Sequence, residues 1–550
     1  MPRSRDYRGL RTGWRADVLA GVTVAVVALP LALGFGVASG LGAEAGLVTA
    51  IIAGVVAGVF GGSNVQVSGP TGAMTVVLVP VVAAVGPSGV VIVALLAGVL
   101  LILAGASRLG RYAGLLPWPV IEGFTLGIAM LIFLQEVPAA LGVAKPPGVN
   151  TAAVAVRALG RWDGQGWSAL GIAALVAAIM VGLPRLHRSL PASLVAVLVA
   201  TAVTELAGVS VVRIGVIPSG LPAPSLPNLT ASHVSAVLGA VMAVAALAAV
   251  ESLLSAKVAD GMADTEAHDP NRELFGQGLA NVAVSFFGGM PATGAIARTA
   301  VNVKAGGRTR AAAIIHGLVL AVIAIALAPA LARIPLAALA GVLIVTAVRM
   351  VEFGTVRRIL RSTRSDALLL TATAAATVAF NLVIAVGVGI ALASLLALRA
   401  VAESTTFEQE PIERVDVDDE LEHALLHEHI VAYRLDGALF FGAAQRFLLE
   451  LAEASDVEVV ILRLGRLRVL DSTGAQALGD LIVHLQHHDV TVLLTSVKDE
   501  HRRLLAHLGV LDQLTDPNHL IPTFAQALDH ARRHCIRNRQ PPLQPALGHG

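Results

Sequence analysis

Two charged residues whose side chains could do chemistry occur within long apolar stretches of the chain. Glu251 lies in AVMAVAALAAVESLLSAKVADGM and Arg298 lies in GAIARTAVN. A charged side chain in the middle of a bilayer costs about 2 to 3 kcal/mol on insertion scales, so we expect both to face a protein interior. Arg298 could neutralise Glu251 in a static ion pair, attract an anion, or do both. Ser255, one helical turn after Glu251, adds a hydroxyl on the same predicted face.

A motif that occurs twice predicts a binding site that these charged residues could belong to. QVSGPTGAM contains Pro70–Ala73 and GMPATGAIA contains Pro291–Ala295; each has Thr-Gly-Ala after a proline, with one extra alanine in the second. Proline disfavours helix in the residue before it and suits a helix start, so each motif predicts a change from extended backbone to helix. A helix that starts inside the membrane has free N–H groups and a partial positive charge, worth about 0.3–2 kcal/mol toward an anion. One motif alone would indicate a kink, whereas the pair predicts facing half-helices of an inverted repeat.

The composition places these residues in a polytopic membrane protein. The chain has 550 residues, of which 55% are hydrophobic and 14% charged. Apolar runs between Trp14 and Ala400 predict about fourteen helical crossings, of which the first is retained and not cleaved as a signal peptide. The single cysteine, Cys535, excludes a disulfide within one chain and suggests no Cys-based metal site. The histidine-rich segments are read as a solvated face, so no metal is predicted.

The basic residues between the crossings predict the orientation. Five arginines lie within the first fifteen residues, and further Lys and Arg residues recur in alternate connections, namely Arg108, Arg111, Arg185, Arg188, Lys257, Arg272, Lys304, Arg308, Arg310, Arg357, Arg358, Arg361 and Arg364. The intervening connections are poorer in basic residues. The positive-inside bias therefore predicts an even number of crossings, with both termini in the cytoplasm of a cell whose inner (plasma) membrane holds the protein.

A second domain is predicted after the membrane region. A cytoplasmic N-terminus (1–15) and a transport domain (16–400) are followed by an acidic linker (401–420). The segments HIVAYRL, DVEVVILRL and DVTVLLTSV predict strands, and GAAQRFLLELAEA, STGAQALGDLIVHLQHH and EHRRLLAHLGVL predict helices. This alternation predicts a small α/β domain (421–536) with helices packed on a sheet, before a disordered tail (537–550).

The chain resembles the SulP family of sulfate permeases and prestin relatives. The resemblance covers nearly the whole chain and depends on QVSGPTGAM, VIEGFTLGIAM, ESLLSAKVADGM, FFGGMPATGAIARTAVNVKAGGRTR and VLDSTGAQAL, which occur in the family's order. It implies fourteen transmembrane segments as two inverted repeats of seven, a core domain that moves against a gate domain, and a cytoplasmic STAS domain. It also implies a homodimer.

The resemblance also assigns site residues by position. It implies substrate binding by residues around the two half-helix starts, namely Thr71, Gly72, Ala73, Gly294, Ala295, Ile296 and Arg298. It implies ion coupling at Glu251 and Ser255. Bicarbonate-type members that use Na⁺ pair an aspartate with a threonine at these positions, so the Glu-Ser pair favours H⁺ as the coupling ion. Glu122 and Glu136 are weaker candidates, because solvation at the membrane surface explains both.

A second position is implied in the STAS domain. In STAS relatives that act as anti-sigma factor antagonists, the second hydroxyl of a D-S-S-G turn is phosphorylated. Its match is Thr473 in Asp471–Gly474, although we expect Ser472 or Thr473 to act as a plain helix cap. A cytoplasmic regulatory partner at this domain is the corresponding expectation.

The function predicted from these features is secondary active transport of an inorganic or small organic anion such as sulfate, bicarbonate or a dicarboxylate. The transport would use alternating access and be coupled to H⁺ through Glu251. The alternatives are a Na⁺-coupled bicarbonate-type transporter, a nucleobase carrier of the same architecture, and a membrane sensor that signals through its STAS domain. No cofactor, nucleic-acid partner or enzymatic activity is predicted, because no catalytic triad, phosphate loop or metal triad can be assigned.

Overall fold

The computed structural model describes most of the chain. The described residues are 10–111, 117–146, 150–162, 164, 166–187, 190–218, 220–226, 231–263, 265–380, 382–403, 406–409, 429–439 and 457–539. The chain divides into two compact units, Met1–Leu392 and Ala393–Gly550. The division falls within one helix, Leu382–Glu403.

The first half of the larger unit contains seven spanning elements. They are α1 (Leu10–Ala38), α2 (Ala43–Phe60), the strand β1 (Ser68–Gly69) continued by α3 (Gly72–Val85), α4 (Pro87–Ala106), α5 (Trp118–Ala140), α7 (Trp167–Leu186) and α8 (Ala192–Leu206). The short helix α6 (Thr151–Gly160) connects α5 to α7.

The second half repeats this order. Its elements are α9 (Ala231–Met262), α10 (Pro270–Phe286), the strand β2 (Thr293–Gly294) continued by α11 (Ile296–Lys304), α12 (Arg310–Ala326), α14 (Leu336–Met350), α16 (Arg364–Ala379) and α17 (Leu382–Glu403). The short helices α13 (Ala328–Leu331) and α15 (Phe353–Arg361) are connections. Because each half has an odd number of spanning elements, the second half enters the membrane from the side opposite to the first.

The helix contacts between the two halves are reciprocal. In each half, the first helix packs against the fourth element of the other half, as α1 does on α12 and α9 on α4. The second helices behave likewise, since α2 packs on α12 and α10 on α4, and they also pack on each other. Similarly, α5 packs on α16 and α14 on α7. The sequence prediction of two inverted repeats of seven is therefore confirmed by the packing.

Seven of the described helices are long and apolar enough to cross a membrane by themselves. They include α1, α2, α4, α5, α7 and α9, and the seventh is the stretch Leu336–Arg361. The shorter apolar helices include α3, α8 and α12. A half-helix such as α3 can be short because extended backbone precedes it within the same segment.

The smaller unit contains a five-stranded sheet in the order β3 (Thr406–Gln409), β4 (Ile430–Leu439), β5 (Val459–Leu470), β6 (Thr491–Thr495) and β7 (Leu520–Ile521). The first pair is antiparallel and the other three pairs are parallel. Helices Ser472–His487, Asp499–His507 and Phe524–Arg539 accompany it. Leu462 faces a core shared with the first two helices, while its neighbour Ile461 faces the helix that contains Ala527. This alternation covers both faces of the sheet.

The predicted boundaries of this region need two adjustments. Residues 406–409, within the predicted linker, form strand β3 paired with β4, a long-range pairing that local composition does not show. The last helix continues to Arg539, so residues 537–539 of the predicted tail are helical. The predicted helix GAAQRFLLELAEA and most of the linker and tail lie outside the described residues.

Candidate functional site

The two motif segments cross each other in the interior of the larger unit. Strands β1 and β2 are antiparallel, with Ser68 opposite Gly294 and Gly69 opposite Thr293. Both strands are buried. Each strand leads into a half-helix, so the two helix starts lie at one crossing.

Both half-helices begin with backbone donors that have no partner within their own helix. The cap of α3 is Thr71 and the cap of α11 is Ala295, and neither cap residue makes a side-chain hydrogen bond to its helix. The first carbonyl used within each helix belongs to the cap, which accepts from Thr75 N and Thr299 N, respectively. The first-turn amides before Thr75 and Thr299 have no carbonyl available in their own helix, which gives each start a partial positive charge.

Glu251, on α9, connects the two segments. Thr71 Oγ1 donates to Glu251 Oε2 at 3.1 Å, and Thr293 Oγ1 donates to the same oxygen at 2.9 Å. Thr71 and Thr293 are 6% and 0% exposed, and their hydroxyl oxygens are 3.4 Å apart. One carboxylate oxygen thus receives a hydrogen bond from each half of the repeat.

Arg298, on α11, reaches across to the first segment. Its side chain is 2% exposed, and Nη2 donates to the carbonyl oxygen of Pro70. Its Nη1 has no hydrogen-bond partner within the described part of the chain. Gly69 leaves room for it, because a Cβ at Gly69 would overlap Nη1. The guanidinium therefore lies beside the crossing with one nitrogen uncommitted.

Among the described residues, no hydrogen bond or ion pair joins Glu251 to Arg298. The carboxylate oxygen is held by hydroxyls and the guanidinium by a backbone carbonyl. This arrangement does not support the static ion pair that the sequence left open. The two charged side chains therefore lie at the same crossing without a direct bond to each other among the described residues.

Side chains of α11 and α10 hold the first segment in place. Asn302 Nδ2 donates to Val65 O at 2.7 Å, and Thr299 Oγ1 accepts from Val67 N at 3.1 Å. The amide of Ala295 donates to Val67 O at 2.9 Å. Gln277 Nε2, on α10, donates to Ser68 Oγ. The bonds to Val65 and Val67 satisfy backbone groups that a two-residue strand leaves unpaired, and the bond from Gln277 holds the Ser68 side chain.

Side chains of α2, α9 and α10 hold the second segment. Thr49 Oγ1 donates to Met290 O at 3.0 Å and accepts from Met290 N at 2.7 Å. Asn281 bonds both backbone groups of Ala292, at 2.9 and 2.8 Å. Ser252 Oγ accepts from Gly294 N at 3.0 Å. None of these five bonds comes from α3.

The predicted substrate residues lie at the crossing with two differences in detail. Gly72, Ala73, Gly294 and Ala295 are buried there, whereas Ile296 is 37% exposed. The repeated letters do not occupy equivalent places, since Thr71 caps α3 whereas Thr293 lies in β2 two residues before its cap. Gly294 must lack a side chain because a Cβ there would overlap the amide of Gln66. Sequence reasoning passed over Thr293, although its place in the repeated motif was a usable signal.

The predicted partnership of Ser255 with Glu251 differs from the structure. Ser255 is fully buried, and its hydroxyl oxygen lies 3.4 Å from Thr299 Oγ1. The hydrogen-bonding hydroxyls at Glu251 come instead from Thr71 and Thr293. The spacing along α9 places both residues on one face of the helix. That face meets Thr71 and Thr293 at Glu251 but Thr299 at Ser255.

The two weaker acidic candidates differ from each other. Glu122 is partly exposed, and its Oε1 accepts from Trp118 Nε1 at 3.0 Å, as expected near a membrane surface. Glu136 is only 5% exposed, and its Oε1 has no partner among the described residues. Solvation at the surface therefore does not account for Glu136.

The helix start in the smaller unit is capped differently from the expectation. Asp471 is the cap, and its Oδ1 accepts from Gly474 N at 2.7 Å. The expectation that Ser472 or Thr473 caps the helix is therefore wrong, because a carboxylate takes that place. Ser472 and Thr473 are both exposed in the first turn. No group of three His, Cys, Asp or Glu side chains suited to a metal occurs within the described ranges.

Two family models match the chain over separate regions. The model of the sulfate permease family matches residues 14–373, and that of the STAS domain matches residues 424–527. The first match includes both motif segments, Glu251 and Arg298.

Known relatives and solved structures agree with these matches. The chain is 33% identical over 467 residues to YvdB of Bacillus subtilis (strain 168), named as a sulfate transporter, covering 83% of this chain and 86% of the relative. It is 31% identical over 484 residues to the bicarbonate transporter BicA of Synechocystis sp. (strain ATCC 27184 / PCC 6803 / Kazusa), with 84% of each covered. The structure of the murine anion transporter Slc26a9 superposes with a TM-score of 0.81 at 17% identity, over 94% of this chain and 91% of that one, and so shows a shared fold. On these matches, the chain belongs to the sulfate permease family.

Proposed function

We propose that the protein is a secondary active transporter of a small anion, coupled to H⁺ through Glu251. The observation that carries the proposal is the single Glu251 oxygen that accepts hydrogen bonds from Thr71 and Thr293, beside two helix starts and Arg298. The anion is sulfate, bicarbonate or a dicarboxylate; similar proteins are named as sulfate and bicarbonate transporters, and the donors of the site favour an anion of any of these classes. The protein crosses the inner (plasma) membrane many times, with both termini in the cytoplasm.

The charge of the substrate follows from the hydrogen-bond donors at the site that no other part of the site uses. The free first-turn amides of α3 and α11 and the uncommitted Nη1 of Arg298 are all donors. Helix starts and guanidinium groups are the two protein features that most often bind anions. A neutral nucleobase would not neutralise the charge of Arg298, whereas an anion would. This favours an anion over a nucleobase.

Coupling follows from the chemistry of the shared carboxylate. When Glu251 is ionised, its Oε2 accepts the hydrogen bonds of the Thr71 and Thr293 hydroxyls. The carboxylate then also places a negative charge beside the anion site. Protonation removes that charge and frees both hydroxyls to donate to the anion. The proton and the anion therefore favour each other's binding, which is the thermodynamic requirement for symport.

The position of Ser255 favours H⁺ over Na⁺. Na⁺ requires several oxygen ligands around it, whereas a proton requires only the carboxylate. The Ser255 hydroxyl lies against Thr299, so it adds no oxygen ligand to the Thr71 and Thr293 hydroxyls that bond to Glu251. Access then alternates as the crossing moves relative to α5 and α14, which pack together across the two halves.

Uptake of labelled sulfate, bicarbonate and succinate into proteoliposomes tests the proposal. We expect uptake of at least one anion that rises with an inward proton gradient and does not respond to Na⁺. Glu251→Gln should abolish the response to the gradient, with Glu122→Gln as the matched control because Glu122 lies away from the crossing. Stimulation by Na⁺ alone would contradict H⁺ coupling, and gradient-stimulated uptake by Glu251→Gln would remove Glu251 from the mechanism.

Regulation through the STAS domain is part of the proposal. Exposed Thr473 lies in the first turn of the helix that Asp471 caps, so a phosphate there would meet free amides but also the Asp471 carboxylate. The domain acts as the docking site for a cytoplasmic regulatory partner in a homodimer. Mass spectrometry of the protein purified from its own host checks the modification, and uptake by Thr473→Ala and Thr473→Glu checks its effect.

A further inference from the structure

An amide side chain on α5 lies close to the start of α3 and has no assigned use. The side chain of Ile132 packs against Gly72, the first residue of α3, so closely that a Cβ on Gly72 would overlap its Cδ1. Gln135 follows Ile132 by three residues, which places it one helical turn further along the same side of α5. Gln135 is thus a neighbour of the crossing.

The direction of Gln135 is set by the rotation of about 100° per residue in an α-helix. By this rotation, Gln135 points about 20° to the far side of Ile128 and about 60° from Ile132, and both isoleucines are buried in the same core cluster as Ala73 of α3. Gly127 contacts Thr377 of α16 and therefore marks a different side of α5. Gln135 therefore lies on the stripe of α5 that carries Ile128 and Ile132, and Ile132 in this stripe meets the start of α3.

The amide of Gln135 is buried without partners. The residue is 8% exposed, and neither Nε2 nor Oε1 has a hydrogen-bond partner within the described ranges. Buried amides are normally hydrogen-bonded, because water no longer satisfies them. A donor and an acceptor that lie near the crossing and lack protein partners fit a ligand or its bound water.

We infer that Gln135 is a substrate contact supplied by α5, opposite the donors of the crossing. This rests on the proposed function. Nε2 donates to an oxygen of the anion, and Oε1 accepts from a hydroxyl of the anion or from its bound water. The contact suits oxyanions, which present oxygen acceptors on more than one side, better than a spherical halide, which the donors of α3, α11 and Arg298 already surround on one side.

The test compares uptake kinetics of the full-length protein in proteoliposomes. Sulfate, bicarbonate and succinate are the probes, and the KM of each transported probe is measured. For Gln135→Leu we expect KM to rise about tenfold with a maximal rate within about twofold of wild type, as for the loss of one hydrogen bond to a charged ligand. Gln135→Glu keeps the shape but adds a charge that repels the anion, so its KM should rise further.

Controls separate contact with the anion from a structural role. Phe133→Leu is the matched control, because Phe133 is 41% exposed on the opposite side of α5 and its KM should not change. An unchanged KM in both Gln135 variants overturns the inference, as does a lower maximal rate with a lower melting temperature and the same KM. If a variant yields no uptake, sulfate and bicarbonate binding to the detergent-solubilised protein supplies the comparison. Wild-type protein that neither binds nor moves any probe would overturn the proposed function itself, and this contact with it.

Discussion

The two crossing segments have similar backbones and unequal side chains. Each has a two-residue strand followed by a half-helix, yet α11 buries Arg298, Thr299 and Asn302 while the sequence of α3 is apolar except for Thr75. The polar side chains of α11 all bond to the first segment. The second segment is held by α2, α9 and α10 instead.

This difference divides the work at the crossing. The first segment takes bonds from three side chains of α11 and is also bonded to α10 through Gln277 and to α9 through Gln66. The second segment is bonded by side chains of α2, α9 and α10. The start of α3 has small buried residues, Gly72 and Ala73, and Ile132 packs against Gly72. The inverted repeat thus supplies two helix starts, while the sequence places buried polar side chains on α11 and small residues at the start of α3.

Among the changes at the crossing, replacing Arg298 should reduce uptake most. Arg298→Gln loses the positive charge of the site and weakens the connection to Pro70 O. We expect uptake to fall about 100-fold or more, in line with the loss of a buried charged contact. Arg298→Lys keeps the charge but lacks the guanidinium fork and should recover only part of the rate. Near-normal uptake by Arg298→Gln in a folded, monodisperse protein would contradict a role in the site.

Replacing the two asparagines compares the support of the two segments directly. Asn281→Leu strips partners from both backbone groups of Ala292, whereas Asn302→Leu strips one from Val65 O. At about 1–3 kcal/mol for each buried group left unsatisfied, Asn281→Leu should lower the midpoint of thermal unfolding about twice as far. Equal shifts of the unfolding midpoint in detergent solution would show that the two segments depend equally on Asn281 and Asn302.

Removing the two threonine hydroxyls should have the smallest effect. Thr71→Val and Thr293→Val each remove one donor to Glu251 Oε2, and we expect each to slow uptake about tenfold. The double variant should lose less than the product of the two, because both hydroxyls act through one carboxylate. Serine at either position should restore the rate, and strictly multiplicative losses would argue for independent roles.

The sequence was sufficient for the repeat and for the charged residues of the site. Proline at positions 70 and 291, with Glu251 and Arg298 in apolar surroundings, predicted the crossing because these features are local. The unequal register was not predictable, since the cap of α11 is fixed by the bond from Ala295 N to Val67 O, a contact between distant parts of the chain. The same reason applies to Ser255, whose neighbour Thr299 belongs to another helix.

The dependence of the first segment on α11 also has a consequence for biogenesis. Val65 and Asn302 are 237 residues apart in the chain, and Val67 and Thr299 are 232 apart. At about 5–20 residues per second, a ribosome needs roughly 10 to 50 seconds to supply the missing partners. During that interval the extended backbone at 65–70 lies in the membrane without them. The backbone groups of Val65 and Val67 therefore gain these partners only after most of the membrane region has been synthesised.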